Sequence, residues 1–93
     1  MDANNKKLKV QIGVVKRMMK EVASYEKEVV DNEAKVQKMR DDGKDSYDIK
    51  KQEEVLQESY MMIPDSRARL ETSMENLMNC LVVILIMHFP YFY

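Results

Sequence analysis

Residues Ser46 to Glu71, SYDIKKQEEVLQESYMMIPDSRARLE, decide how this chain folds. Ile49, Leu56 and Ile63 recur at a spacing of seven, and charges fill most of the positions between them. That is the pattern of a helix with one narrow apolar seam. The stripe reads Ile49, Gln52, Leu56, Ser59, Ile63, flanked by Val55, Tyr60 and Met62. Pro64 has no backbone N–H and disfavours helical geometry at Ile63, so a stop and a restart at Asp65 or Ser66 are expected.

Upstream, Asp41-Asp42-Gly43-Lys44-Asp45 is a clear break. Gly43 supplies positive φ, and Asp45 or Ser46 can cap the helix that follows. Before it lies a long helical segment. Its seam starts as Leu8, Ile12, Val15, Met19, Val22 and continues as Tyr25, Val29, Asn32, Val36, Met39. The step from Met19 through Val22 to Tyr25 puts two spacings of three in succession, a stammer that overwinds a coiled coil. After Pro64 the spacing runs Leu70, Met74, Leu77, Leu81, Ile84, His88. Helices are therefore expected near 5–40, 46–62 and 65–80. The fold class is an all-α, antiparallel three-helix bundle with a long first helix. Ile12, Val15, Val22, Val29, Leu56, Ile63 and Leu70 are expected among the more buried positions.

The composition agrees with long helices. A third of the 93 residues are charged and two are glycine, which allows one small domain. The formal net charge is −1, so no global field points to nucleic acid. Locally, every charged residue from Lys6 to Lys20 is basic. Such a strip is either a solvated helix face or a docking strip for an acidic partner, and its lack of aromatics weakens a single-stranded nucleic-acid reading. Cys80 is the lone cysteine, which excludes an internal disulfide and suits a reducing compartment. The polar N-terminal stretch MDANNKKLKV does not read as a signal peptide.

No constellation for catalysis, metal or cofactor is visible. His88 is the single histidine, the carboxylates sit on charged faces, and no phosphate loop, zinc spacing or calcium loop occurs. Cys80 has no neighbouring base, so a small buried thiol is expected.

After Met78 the composition changes to Asn79, Cys80, LVVILIM, His88 and FPYFY. Division into a helical domain at 1–78 and an apolar tail at 79–93 follows. Three readings of the tail stand open: a covered last turn of the third helix, a membrane anchor, or an altered terminus without a selected role. As an anchor it is short: Leu77 to Phe89 would span ~20 Å against a hydrocarbon core of ~30 Å. Asn79 and His88 also fall within it and no basic residues flank it, so a membrane partner is not expected. Pro90 is expected to end any helix by about Phe89.

The 46–71 stretch, together with GVVKRMMKE (Gly13 to Glu21) and YEKE (Tyr25 to Glu28), resembles the tubulin-binding cofactor A family over roughly Leu8 to Leu77. The resemblance implies a non-enzymatic chaperone, cytoplasmic and cytoskeleton-associated. It would capture β-tubulin after release from the cytosolic chaperonin, for assembly of the αβ-heterodimer. It needs no cofactor and is a monomer or weak homodimer. The partner-binding candidates are Lys16, Arg17, Lys20, Tyr25, Glu26, Lys27 and Glu28 on the first helix. On the second they are Tyr47, Asp48, Lys50, Lys51, Glu54 and Glu58. The family's third helix continues as a long acidic amphipathic stretch that this chain lacks. The alternative is a homodimeric coiled-coil adaptor using the seam of the first helix or, less favoured, a tail-anchored membrane protein.

Overall fold

The computed structural model describes the backbone of residues 2–88 and the side chains of residues 3–87. It contains two helices, α1 (Asp2–Asp41) and α2 (Ser46–His88), packed along each other as one antiparallel hairpin. The hairpin is a rod of 70 × 22 × 15 Å. The expected three-helix bundle is not what forms. Pro64 lies inside α2, and the segments expected at 46–62 and 65–80 are one continuous helix.

The continuity has a physical reason. Proline removes one helical hydrogen bond, the one to the Tyr60 carbonyl, at a cost of roughly 3 kcal/mol. A break at Pro64 would disturb the phase of everything after it. Apart from Glu53, whose carboxylate pairs with Arg40 on the flank, the buried and half-buried described positions of α2 are Ile49, Gln52, Leu56, Ser59, Ile63, Ser66, Leu70, Ser73, Leu77, Cys80 and Ile84. They alternate steps of three and four through Pro64 without interruption. Pro64 itself is exposed to solvent, off the seam.

The seam of α1 is equally regular: Asn4, Leu8, Gln11, Val15, Met18, Val22, Tyr25, Val29, Asn32, Val36, Met39. The expected stammer is absent. Gln11 and Met18 occupy the places assigned to Ile12 and Met19, which are 37% and 56% exposed. At position 12 the more apolar residue lies one place off the seam, and at 18–19 the two neighbours are both Met, so apolarity does not distinguish them. A one-residue slip likewise put Met74 and Leu81 on the seam of α2, where the smaller Ser73 and Cys80 belong; both larger side chains are exposed. Of the expected core, Val22 and Val29 are buried, Val15, Leu56, Ile63 and Leu70 are half-buried, and Ile12 is outside.

Packing between the helices is asymmetric. One layer set pairs large with large, with valines of α1 facing Leu56, Ile63, Leu70 and Leu77. The alternate set on α2 is small: Ser59, Ser66, Ser73 and Cys80, all buried. The hydroxyls are satisfied within their own helix. Ser59 Oγ donates to Leu56 O at 2.7 Å, Ser66 Oγ to Ile63 O at 2.9 Å and Ser73 Oγ to Leu70 O at 2.7 Å. These bonds remove the penalty of burying a hydroxyl. The small side chains leave room for Tyr25 and Met18, which the register sets opposite Ser66 and Ser73.

The turn follows its sequence closely. Gly43 has φ 66°. Gly43 N donates to Arg40 O at 3.1 Å and Lys44 N to Met39 O at 3.0 Å, a Schellman closure of α1. Asp45 Oδ1 accepts from Tyr47 N at 3.5 Å and caps α2. The expected stop near Phe89 lies outside the described residues.

Candidate functional site

Two longitudinal flanks border the seam, and one carries a ladder of cross-helix polar pairs. Arg40 Nη2 meets Glu53 Oε1 at 2.5 Å, the Tyr60 hydroxyl donates to Glu33 Oε1 at 2.6 Å, and Arg67 Nη2 lies 3.5 Å from Glu26 Oε1. Each step is seven residues back on α1 and seven forward on α2. The next two rungs in that register are Met19 with Met74 and Ile12 with Leu81. The flank therefore changes from polar near the turn to apolar toward the open end. On the opposite flank Arg69 Nη2 reaches Glu21 Oε1 at 2.7 Å, and Arg69 Nε lies 3.4 Å from Asp65 Oδ2. These pairs are solvent-exposed and contribute modestly to stability. Their value is in fixing register and the antiparallel alignment.

The hydrogen bond to Glu33 raises the Tyr60 phenol above its usual 10.0, with burial and the Glu33 charge adding to the rise. A group whose folded value is raised supports the fold below its unfolded value and loses that support as pH climbs through the folded one. Tyr60→Phe should therefore flatten the alkaline loss of stability above pH 10.0. Urea melts of both proteins on either side of that pH check this. Parallel alkaline curves would show that the bond carries no folding linkage.

The expected contact residues fall in two separate groups. Lys16, Arg17, Lys20 and Lys27 are exposed on the outer face of α1, away from α2. Tyr47, Lys50, Lys51, Glu54 and Glu58 are exposed on the outer face of α2 near the turn, with Asp48 beside them on the flank. Lys51 Nζ sits 5.1 Å from the centre of the Tyr47 ring, a cation–π contact. The two groups occupy opposite sides of the rod and do not form one patch. Three candidates on α1 have other surroundings. Tyr25 is half-buried in the seam, with its hydroxyl 3.4 Å from Glu21 Oε1. Glu26 is engaged by Arg67. Glu28 is exposed on the flank that carries Glu21. Sequence reasoning missed Glu33, Tyr60, Arg67 and Arg69; the shared seven-residue step of Glu26, Glu33 and Arg40 was the available signal.

A shallow cleft of about 230 Å³ lies near the open end, lined by Asn4, Lys7, Gln11, Asn76, Asn79 and Cys80 among others. Among the described residues no three His, Cys, Asp or Glu side chains are grouped to hold a metal ion. Cys80 is a buried free thiol.

The described residues form a rod with patterned outer faces. The family pattern described as "Tubulin binding cofactor A" matches residues 3–83, nearly the whole hairpin. The chain belongs to the tubulin binding cofactor A family. It is 51% identical over 72 residues to the human tubulin-specific chaperone A, covering 77% of this chain and 67% of that protein. It is 48% identical over 79 residues to the tubulin-folding cofactor A of Arabidopsis thaliana, covering 85% and 70% of the two. The crystal structure of that Arabidopsis cofactor superimposes with a TM-score of 0.84 at 46% identity, covering 88% of this chain and 77% of the other. The human tubulin chaperone cofactor A gives 0.71 at 44% identity, covering 90% and 84%. The family pattern ends at residue 83, inside the apolar run.

Proposed function

We propose that this chain is a tubulin-folding chaperone that captures β-tubulin after its release from the cytosolic chaperonin and holds it for assembly into the αβ-heterodimer. Membership of the tubulin binding cofactor A family carries this reading. The mechanism is mass action. Binding an assembly intermediate lowers its free concentration and suppresses its aggregation, with no nucleotide or cofactor on this chain. The place of action is the cytoplasm, next to the cytoskeleton. The seam of α1 is already filled by α2 of the same chain, which disfavours a coiled-coil homodimer through that seam.

The contact surfaces in this proposal are the two exposed groups. The cations Lys16, Arg17, Lys20 and Lys27 on α1 suit an acidic partner and act mainly on association rate. The mixed group Tyr47, Asp48, Lys50, Lys51, Glu54 and Glu58 flanks the turn. Tyr25, Glu26 and Glu28 would act at the edges of the α1 group, with Tyr25 mainly holding the helix that presents it. The direct test is native electrophoresis of chaperonin-released β-tubulin with and without this chain. A new, slower or faster band containing both proteins is expected, and its absence would overturn the proposal. Replacing Lys16, Arg17 and Lys20 together by glutamine should slow capture at low ionic strength by about tenfold and flatten its salt dependence. Unchanged capture rates would remove the strip from the interface while leaving the chaperone reading intact.

A further inference from the structure

The open end of the hairpin, where α1 begins and α2 ends, combines two features that are far apart in sequence. The first is apolar surface on almost every side of α2. Leu81, Val82, Val83, Leu85, Ile86 and Met87 are 41–61% exposed. They occupy every angular position around the helix except the line of Cys80 and Ile84, which meets α1. A helix that is apolar all round calls for an apolar medium around it, since a partner helix would cover one stripe. Consistent with this, α2 contains a stretch long and apolar enough, by length and composition, to cross a membrane.

The second feature is charge. Read along the sequence, the apolar run has no basic neighbours. The antiparallel fold supplies them. Asn4 Nδ2 lies 3.6 Å from Met87 Sδ, and Lys7 shares the cleft with Val83 and Ile84. Lys6, Lys7 and Lys9 therefore sit at the level of the apolar run. Between Ala3 and Lys20 there is no acidic residue, and between Asn76 and Met87 there is no charge at all.

We propose that this end is a docking tip for an anionic lipid surface, independent of tubulin capture. The α2 tip enters the headgroup–acyl boundary, and the lysines on the α1 side meet the lipid phosphates and carboxylates. Leu81 to Met87 extends ~10 Å along the helix, about the depth at which interfacial helices sit. The lysine stems can reach back to the headgroups from that depth. The same arrangement argues against a span. Deeper insertion would drag Lys16, Arg17 and Lys20 into hydrocarbon alongside α2, at a steep cost. It also argues against a second copy docking tip to tip, because that would bring two sets of lysines together.

The test is flotation of the full chain with phosphatidylcholine vesicles, with and without phosphatidylserine. Binding is expected on the serine-containing vesicles, with release by high salt and by carbonate. Replacing Lys6, Lys7 and Lys9 by glutamine should weaken it on the order of a hundredfold. Val82→Asn with Ile86→Asn, both on exposed positions, should abolish it while circular dichroism confirms intact helices. Equal flotation on both vesicle types, or binding unaffected by either set of substitutions, would overturn the proposal. So would retention after carbonate, the signature of a span. An absence of flotation together with a doubled mass by light scattering would assign the tip to a second copy instead.

Discussion

Pro64→Ala is expected to raise the stability of this chain by about 2 kcal/mol, an unusually large gain for one exposed residue. The gain comes from two opposed parts. Alanine restores the backbone N–H that can bond to the Tyr60 carbonyl and removes the ring clash, worth roughly 3 kcal/mol in a helix interior. It also frees the unfolded chain, which returns ~0.4–1 kcal/mol of that gain to the unfolded state. For a domain of this size the melting temperature should rise by about 10 °C. The substitution also separates two architectures. If residue 64 marked a turn between two helices, alanine would extend the wrong element and lower or leave unchanged the melting point. In a continuous α2 the position is exposed and helical already, so nothing has to move. A fall in melting temperature would argue for a break at Ile63 and against the hairpin.

Much of the helical content was legible in the sequence. The Asp41-to-Asp45 break, the glycine with positive φ and the Asp45 cap are local devices, and local devices can be read directly. Pro64 could not be read that way, because its local preference for a break is overruled by the unbroken seam register on either side of it. The seam differs from its sequence reading at Ile12, Met74 and Leu81 for a related reason, and Met19 follows from the slip at Ile12. Hydrophobicity ranks Ile12 above Gln11 and Met74 above Ser73, yet packing between two close helices selects size as well as polarity. A narrow hairpin wants small residues on one side and can tolerate an amide such as Gln11, whose end reaches water. The large apolar side chains then fall on the flanks. The contact surfaces were legible only as residue types. Which charges share a face depends on the three-four phase, and a one-residue slip turns a flank residue into a seam residue.

The flanks also carry a consequence for orientation. Near the turn, Arg40 with Glu53 and Glu33 with Tyr60 make the alignment of the two helices specific. Toward the open end the corresponding rungs are Ile12, Met19, Met74 and Leu81, which attract without selecting a register. Registry is therefore set at the turn end and inherited by the rest, as expected for a hairpin whose local contacts form before distant ones. It follows that the open end is the part whose packing can be rearranged at least cost, and it is the end proposed to meet lipid.

Ser66→Leu should be the most damaging single substitution of a polar seam residue, costing about 3 kcal/mol, at the upper end for overpacking. Ser66 is 1% exposed, the most buried of the described residues. Its hydroxyl bonds only to Ile63 O within α2, a carbonyl that stays inside the helical ladder, so losing that bond leaves no buried group unpaired and contributes little. The cost is volume. The register sets Tyr25 across from Ser66, and two large side chains cannot share a layer sized for one. The helices would have to part in the middle, exposing Val22, Val29, Ile63 and Leu70 on either side. The control is Ser66→Ala, which keeps the size and should change stability by less than ~1 kcal/mol. The rescue is Tyr25→Ala in the Ser66→Leu background, which restores one large and one small residue to the layer with the sides exchanged. A double-mutant cycle should then return a coupling of about 1–3 kcal/mol in favour of the pair. Additive losses would mean that Tyr25 and Ser66 do not share a layer. In that case the antiparallel register drawn from the Arg40, Glu33 and Glu26 rungs would be wrong in the middle of the rod.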